Sequence, residues 1–135
     1  MISVEDKLAI HDLISLYGHI VDNRHFSRTH ELFTDDAVYD TSDFNAGVHT
    51  GWRAIAQLWR DAEGQHPLAH HATNVIVSQD DDGTVRVLSK GIGIRDDLSA
   101  GSAIYEDIVV KTPAGWRMSH RVAIRRSPDR IPPHT

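Results

Sequence analysis

The chain carries ten histidines in 135 residues and no cysteine. Disulfides and thiolate chemistry are excluded, and imidazole is the side chain best suited to accept a proton near neutrality. Asp22 stands at the end of the first helical stretch and His70 at the start of a β-rich run. A carboxylate bonded to one ring nitrogen of a histidine fixes the tautomer and leaves the other nitrogen basic. It also stabilises the imidazolium once that forms. On residue types alone, the more ordinary reading is a surface carboxylate and a hydrogen-bonded core histidine.

Four further sets of residues raise possible chemistry. Tyr17 can donate a hydrogen bond to a substrate carbonyl or a departing hydroxyl, although its spacing from Leu13 and Ile20 equally fits a core aromatic. Five helical residues subtend about 140°, so Tyr17 and Asp22 share a cavity only if the helix ends or bends near Asp22. Asn23-Arg24-His25 supplies such a break. On the last β-rich run, alternation puts Met118, His120, Val122 and Ile124 on one face and Arg117, Ser119, Arg121 and Arg125 on the other. That parity expects His120 to reach a cavity and Arg121 to lie on the polar face, unless a bulge turns the arginine inward. Of the aromatics Tyr39, Phe44, Trp52 and Trp59, Tyr39 and Trp59 are the foremost candidates to line an apolar pocket. His66, His70, His71 and His120 raise the question of a metal, but no HExxH or carboxylate-spaced triad accompanies them, and none is expected.

The elements that must position these groups follow from periodicity. Ser3 with Asp6 resembles a helix N-cap with an acidic first turn, and apolar residues from Leu8 to Val21 recur at helical spacing. A helix over about residues 4 to 22 is predicted. A second short helix runs from Ser27 through Leu32 and Phe33, a short strand from Ala37 to Thr41, and a third helix opens at Gly51. Then the period changes. Residues 70–78, 84–95, 102–111 and 116–126 read as four strands joined by short Gly- or Pro-containing turns, an antiparallel meander. Gly91-Ile92-Gly93 lacks the third glycine and the helix of a dinucleotide loop and is read as a bend in the sheet.

A chain of this length fits one domain, here residues 1–126, with a Pro-containing tail over 127–135 that is expected to be disordered or draped over a neighbour. Fourteen basic against nineteen acidic residues give a net charge of −5. This balance argues against nucleic-acid or anionic-membrane partners, which need clustered basic residues. The amino end has neither a basic start nor an apolar run, and no stretch approaches the ~20 apolar residues of a membrane span. A cytoplasmic protein is the expectation.

The order helix, short helix, Leu32-Phe33-Thr34-Asp35-Asp36-Ala37-Val38-Tyr39, Gly51-initiated helix and meander resembles the NTF2-like superfamily in its SnoaL-like branch, over about residues 3 to 126. Scytalone dehydratase, the hexachlorocyclohexane dehydrochlorinase and bile-acid 7α-dehydratase are similar at Val21-Asp22-Asn23-Arg24, at His70-His71-Ala72-Thr73-Asn74, at Tyr17 and at Arg121. The register of His-x-x-Thr-Asn selects His70 over His71. The resemblance implies an α+β cone, with N-terminal helices packed on a curved, mainly antiparallel sheet that encloses a pocket. It implies a cofactor-free lyase of dehydratase type, with Asp22, His70, Tyr17 and Arg121 as catalytic residues and Tyr39, Trp59 and His120 against the substrate. A small-molecule partner and a homo-oligomer, trimer or dimer, are implied as well. Alternatives within the superfamily are a ketosteroid-isomerase-like enzyme using Asp40 and Glu106, a polyketide-cyclase-like enzyme, and a non-catalytic ligand-binding module.

Overall fold

The computed structural model describes residues 1–135. Helix α1 runs Val4–Asp22, opened by the Ser3 hydroxyl accepting the Asp6 N–H at 3.0 Å and by Glu5 and Asp6 in the first turn. Its buried stripe, Ile10, Leu13, Ile14, Tyr17, Ile20 and Val21, is the periodic set that predicted it apart from Leu8, which is exposed. It stops at Asn23, and Arg24 turns the chain away at φ 55°. A 3-10 helix (Phe26–Glu31) follows, then strand β1 (Phe33–Asp40).

Here the structure departs from the local reading, which put Leu32 and Phe33 on a helix. The Leu32 carbonyl accepts the Met118 N–H at 2.7 Å, and Phe33 sits opposite Met118. Long-range pairing therefore draws Phe33 into the sheet. A short β2 (Val48–Thr50), expected as loop, pairs antiparallel with β1 and feeds α2 (Trp52–Asp61) through Gly51. Gly51 has φ 87°, and a Cβ there would stand 2.8 Å from the Asp35 carbonyl, so no other residue fits the junction without strain.

Strands β3 (Ala69–Gln79), β4 (Val85–Ile94), β5 (Ala100–Thr112) and β6 (Gly115–Arg125) form the predicted antiparallel meander. The β1 strand adds in parallel to β6, giving a six-stranded mixed sheet in the order β2-β1-β6-β5-β4-β3. The helices cover one face, and the architecture is the α+β one that the element order implied. No helix is long and apolar enough to cross a membrane. The tail folds back on its own chain: Arg130 pairs with Asp43 and donates to the Arg125 carbonyl at 3.1 Å.

Two bulges decide which side chains face the helices. In β3, Asn74 adopts φ 54°, and Asn74 and Val75 together oppose one residue of β4. Asparagine tolerates this left-handed conformation better than most residues. The slip lets Ala72 and then Val75 and Val77 all pack on the core. In β6, Ser119 is the extra residue between Met118, paired with Val109, and His120, paired with Ile108. Parity flips there, so Met118, Arg121 and Ala123 are all buried.

Candidate active site

The inward face of the sheet changes character along its strands. At one end Val85, Val87, Val109 and Met118 fill the core, while in the middle stand Ser89, Asp107, Tyr105 and Arg121. Beyond them the inward positions are Gly91, Gly93, Gly101, Ala103 and Ala123, all residues of a cavity wall. These small residues line a cavity of about 500 Å³. Gly91 and Gly93 thus do more than mark a bend. A Cβ at Gly91 would lie 2.5 Å from the Tyr105 ring, which occupies that space instead. The helical side of the cavity is closed by Tyr17, Val21, Leu58 and Trp59.

His70 stands on this wall. Its backbone N–H donates to Asp22 Oδ2 at 2.9 Å, and its Nδ1 lies 2.6 Å from Asp22 Oδ1. The carboxylate accepts, so Nδ1 carries the proton and Nε2 is the nitrogen left free. One carboxylate therefore grips both the main chain and the ring of one residue. Gly18 makes this possible. Glycine inside a helix costs about 1 kcal/mol relative to alanine, yet here it lets β3 lie against α1. A Cβ at Gly18 would stand 2.6 Å from the His70 carbonyl oxygen. Asp22, one turn further along the same helix face, then reaches the His70 N–H directly.

The condition on the helix is resolved without a bend. Tyr17 and Val21 face the cavity, while Asp22 stands behind His70 and touches the cavity only through it. The side chains of His70 and Asp22 keep 17% and 21% exposure, so solvent protons reach the pair. His71, the neighbour, is exposed and points away.

The Tyr17 and Tyr39 hydroxyls hydrogen-bond at 2.8 Å beside His70, whose ring centroid is 6.1 Å from that of Tyr17. Such a pair consumes one hydroxyl proton and leaves the other free to donate. Burial pushes the Tyr17 phenol well above its ordinary value, Tyr39 adding to the shift and the Arg121 charge acting against it. Burial likewise pushes Tyr39 up to about 12. Both are neutral donors at physiological pH. Trp59 packs edge-on to Tyr17 at 5.7 Å and to Tyr39 at 6.3 Å. Both Tyr39 and Trp59 line the cavity, as expected of them. Phe44 joins at the rim, but Trp52 does not; its indole N–H donates to Asp35 at 3.1 Å outside the cavity.

Arg121 is turned inward by the Ser119 bulge and is fully buried. It makes a two-pronged ion pair with Asp107 at 2.7 and 2.8 Å. Its guanidinium carbon lies 4.5 Å from the Tyr17 ring centroid and 4.1 Å from that of Tyr105. Burial disfavours the charge, but the Asp107 carboxylate and its hydrogen bonds outweigh that and raise the Arg121 pKa above its ordinary value. Arg121 supports the tyrosine layer from behind and is not itself a wall of the cavity.

The same bulge corrects the parity reading of His120. That side chain lies on the opposite face of β6, half-buried beside Ile108 and Val38, and does not touch the cavity. Glu106 is exposed on that outer face too, and Asp40 spends its carboxylate on the Ser42 N–H at 2.9 Å outside the cavity. The isomerase-like pair of carboxyl groups is not brought together. No three His, Asp or Glu side chains converge in a metal-ligating group. Tyr105 and Asp107 were missed in the sequence. The signal was there, since alternation places Asp107 on the apolar stripe Ala103, Tyr105 and Val109, where a charge requires a partner.

With this geometry in hand, the comparisons with known proteins agree on fold and family. An uncharacterized protein of Mycobacterium tuberculosis is 30% identical over 125 residues, covering 88% of this chain and 84% of that protein. An NTF2-like protein with a cystatin-like fold from Novosphingobium aromaticivorans matches with a TM-score of 0.73 and 26% identity, over 93% of this chain and 84% of that one. The structure of LinA matches with a TM-score of 0.78 and 20% identity, over 92% and 88%, a likeness of fold. The SnoaL-like domain family matches residues 3–122, and the chain belongs to that family.

Proposed function

We propose that this chain is a cofactor-independent lyase of dehydratase type, acting on a small hydrophobic or cyclic substrate. The observation that carries the reading is the two-point grip of Asp22 on His70, which leaves Nε2 free at the wall of an aromatic-lined cavity. A module that only binds ligand has no need to hold a histidine in a chosen tautomer.

His70 Nε2 takes a proton from a substrate carbon, and that C–H electron pair becomes the new C=C bond as the C–O bond breaks. Asp22 stabilises the imidazolium in that interval. The imidazolium then gives its proton to the departing hydroxide, which leaves as water. Tyr17 and Tyr39, with phenols held well above neutrality, donate hydrogen bonds to the developing oxyanion rather than protons. Arg121 is a positioning residue behind Tyr17. General-base assistance of this kind contributes about 10²–10⁴ in rate.

The test is a panel of cyclic β-hydroxy ketones incubated with the protein in D₂O and followed by NMR. Wild type is expected to release water from at least one of them and the folded His70→Ala variant to lose that activity. Undiminished turnover in His70→Ala contradicts the mechanism. Deuterium exchange beside a carbonyl without loss of water points instead to an isomerase. The outer sheet face, where Ile76, Leu88 and Ile92 are exposed, supports assembly into a homo-oligomer. Sedimentation separates dimer from trimer, and a monomer contradicts this assembly.

A further inference from the structure

The rim of the cavity differs in kind from its interior. Inward alternation on β4 continues past Gly91 and Gly93 to Arg95, and on β6 past Ala123 to Arg125. Arg126 follows, with its backbone fixed to the Ser102 carbonyl at 3.0 Å. All three arginines line the same cavity and all three are exposed. None takes part in an ion pair, whereas Arg24, Arg28, Arg86, Arg121 and Arg130 each hold a carboxylate within 4 Å.

The nearby acids are already engaged. Asp43 holds Arg130 and accepts the Arg125 backbone N–H, Asp97 accepts from Ser99, and Asp129 accepts from the Ser127 hydroxyl. Arg95 is also held in place. Its Nη1 donates to Ser99 Oγ at 3.1 Å, and its Nη2 lies 2.7 Å from where a Cβ at Gly101 would stand. Glycine at 101 thus lets the guanidinium lie flat across the mouth. Three guanidiniums without a direct ion-pair partner at one opening run against the net charge of −5 of the whole chain. Such an arrangement is self-repulsive when empty and is relieved by an anion.

We infer that the cavity takes an amphiphilic organic anion, its apolar ring system against Trp59 and Tyr17 and its carboxylate, sulfonate or phosphate at Arg95, Arg125 and Arg126. This deepens the lyase reading by naming the class of substrate, and it rests on that reading only for the claim that the ligand is turned over.

Binding of two matched fluorescent probes tests it. They are 8-anilinonaphthalene-1-sulfonate and N-phenyl-1-naphthylamine, which share the aromatic body and differ in the sulfonate. Wild type is expected to bind the sulfonate about tenfold or more tightly than the neutral probe, an advantage that shrinks with added salt. The triple variant Arg95→Gln/Arg125→Gln/Arg126→Gln is expected to abolish that advantage while holding the neutral probe within about twofold. Equal affinity of wild type for the two probes, or an unchanged sulfonate advantage in the triple variant, overturns the inference. Displacement of the bound sulfonate by the neutral probe locates both in one cavity; failure to displace overturns the assignment. Competition by 1-naphthoate and by 1-naphthyl phosphate ranks the anion, and 1-naphthalenemethanol competing as well as either contradicts it. Because His70→Gln leaves the rim intact, probe binding and turnover fail separately if either proposal is wrong.

Discussion

The protein contains two carboxylate–base pairs against the inner face of its sheet that differ in how far they are sealed. Asp107 and Arg121 are 0% and 1% exposed, whereas Asp22 and His70 keep about a fifth of their side chains open beside the cavity. In the first pair the cation does not release its proton, and closure from water turns the pair into a strut between β5 and β6. In the second the base is an imidazole, which can take up and give back a proton at one ring nitrogen, and partial exposure lets protons enter and leave. The lesson is that pairing a carboxylate with a base does not by itself make a proton-transfer site. The identity of the base and the remaining path to the cavity decide it.

The largest effect should appear when the open pair is broken. Asp22→Asn is expected to lower turnover by about 10²-fold or more with the fold retained by circular dichroism, because the ring loses its charged orienting partner. The sealed pair should respond in stability instead. Asp107→Ala leaves a buried, unpaired guanidinium and is expected to cost about 3–5 kcal/mol in denaturant unfolding. The double variant Asp107→Leu/Arg121→Met should recover most of that loss, since both charges are then gone. Persistent instability of the double variant would show that the pair does more than cancel charge.

Gly18→Ala probes how the open pair is assembled. The added methyl meets the His70 carbonyl, so β3 must shift from α1. Turnover should fall by about 10²-fold, as expected for a displacement near 1 Å. Stability should change by less than about 2 kcal/mol, because helix propensity offsets part of the crowding. The smallest effect concerns the tail beside the rim. Hydrogen bonds from Arg130 and from the Arg125 backbone hold the Asp43 carboxyl down at about 2. A carboxyl lowered by folding stabilises fully above its unfolded value near ~4 and loses that contribution as pH falls towards the folded one. Amide exchange over residues 125–130 should therefore rise between about pH 4 and pH 2, ahead of the sheet, and a tail protected throughout that window would contradict the docking.

How much of this was legible in the sequence divides along the same line. Helix α1, its Ser3 cap and the four-strand meander follow from periodicity and turn chemistry, which are local. Asp22 and His70 were singled out by the resemblance to the SnoaL-like branch, since residue types alone favoured a surface carboxylate and a core histidine. The direction of Arg121 was not legible, since strict alternation pointed it outward and His120 inward. The Ser119 bulge that reverses them is fixed by pairing with Ile108 and Val109, residues on a different strand. Phe33 in β1 and the short β2 were hidden for the same reason, because each is strand only by virtue of a partner. Gly18 was readable as an oddity on a buried helical stripe, but the strand it admits is visible only in three dimensions.

The central claim is that Asp22 holds His70 with its proton on Nδ1 and its Nε2 bare towards the cavity. Long-range proton–nitrogen correlation of the His70 ring, recorded on its neutral form, measures this directly and needs no substrate. Wild type is expected to show the Nδ1–H tautomer. A His70 ring carrying its proton on Nε2 would contradict it.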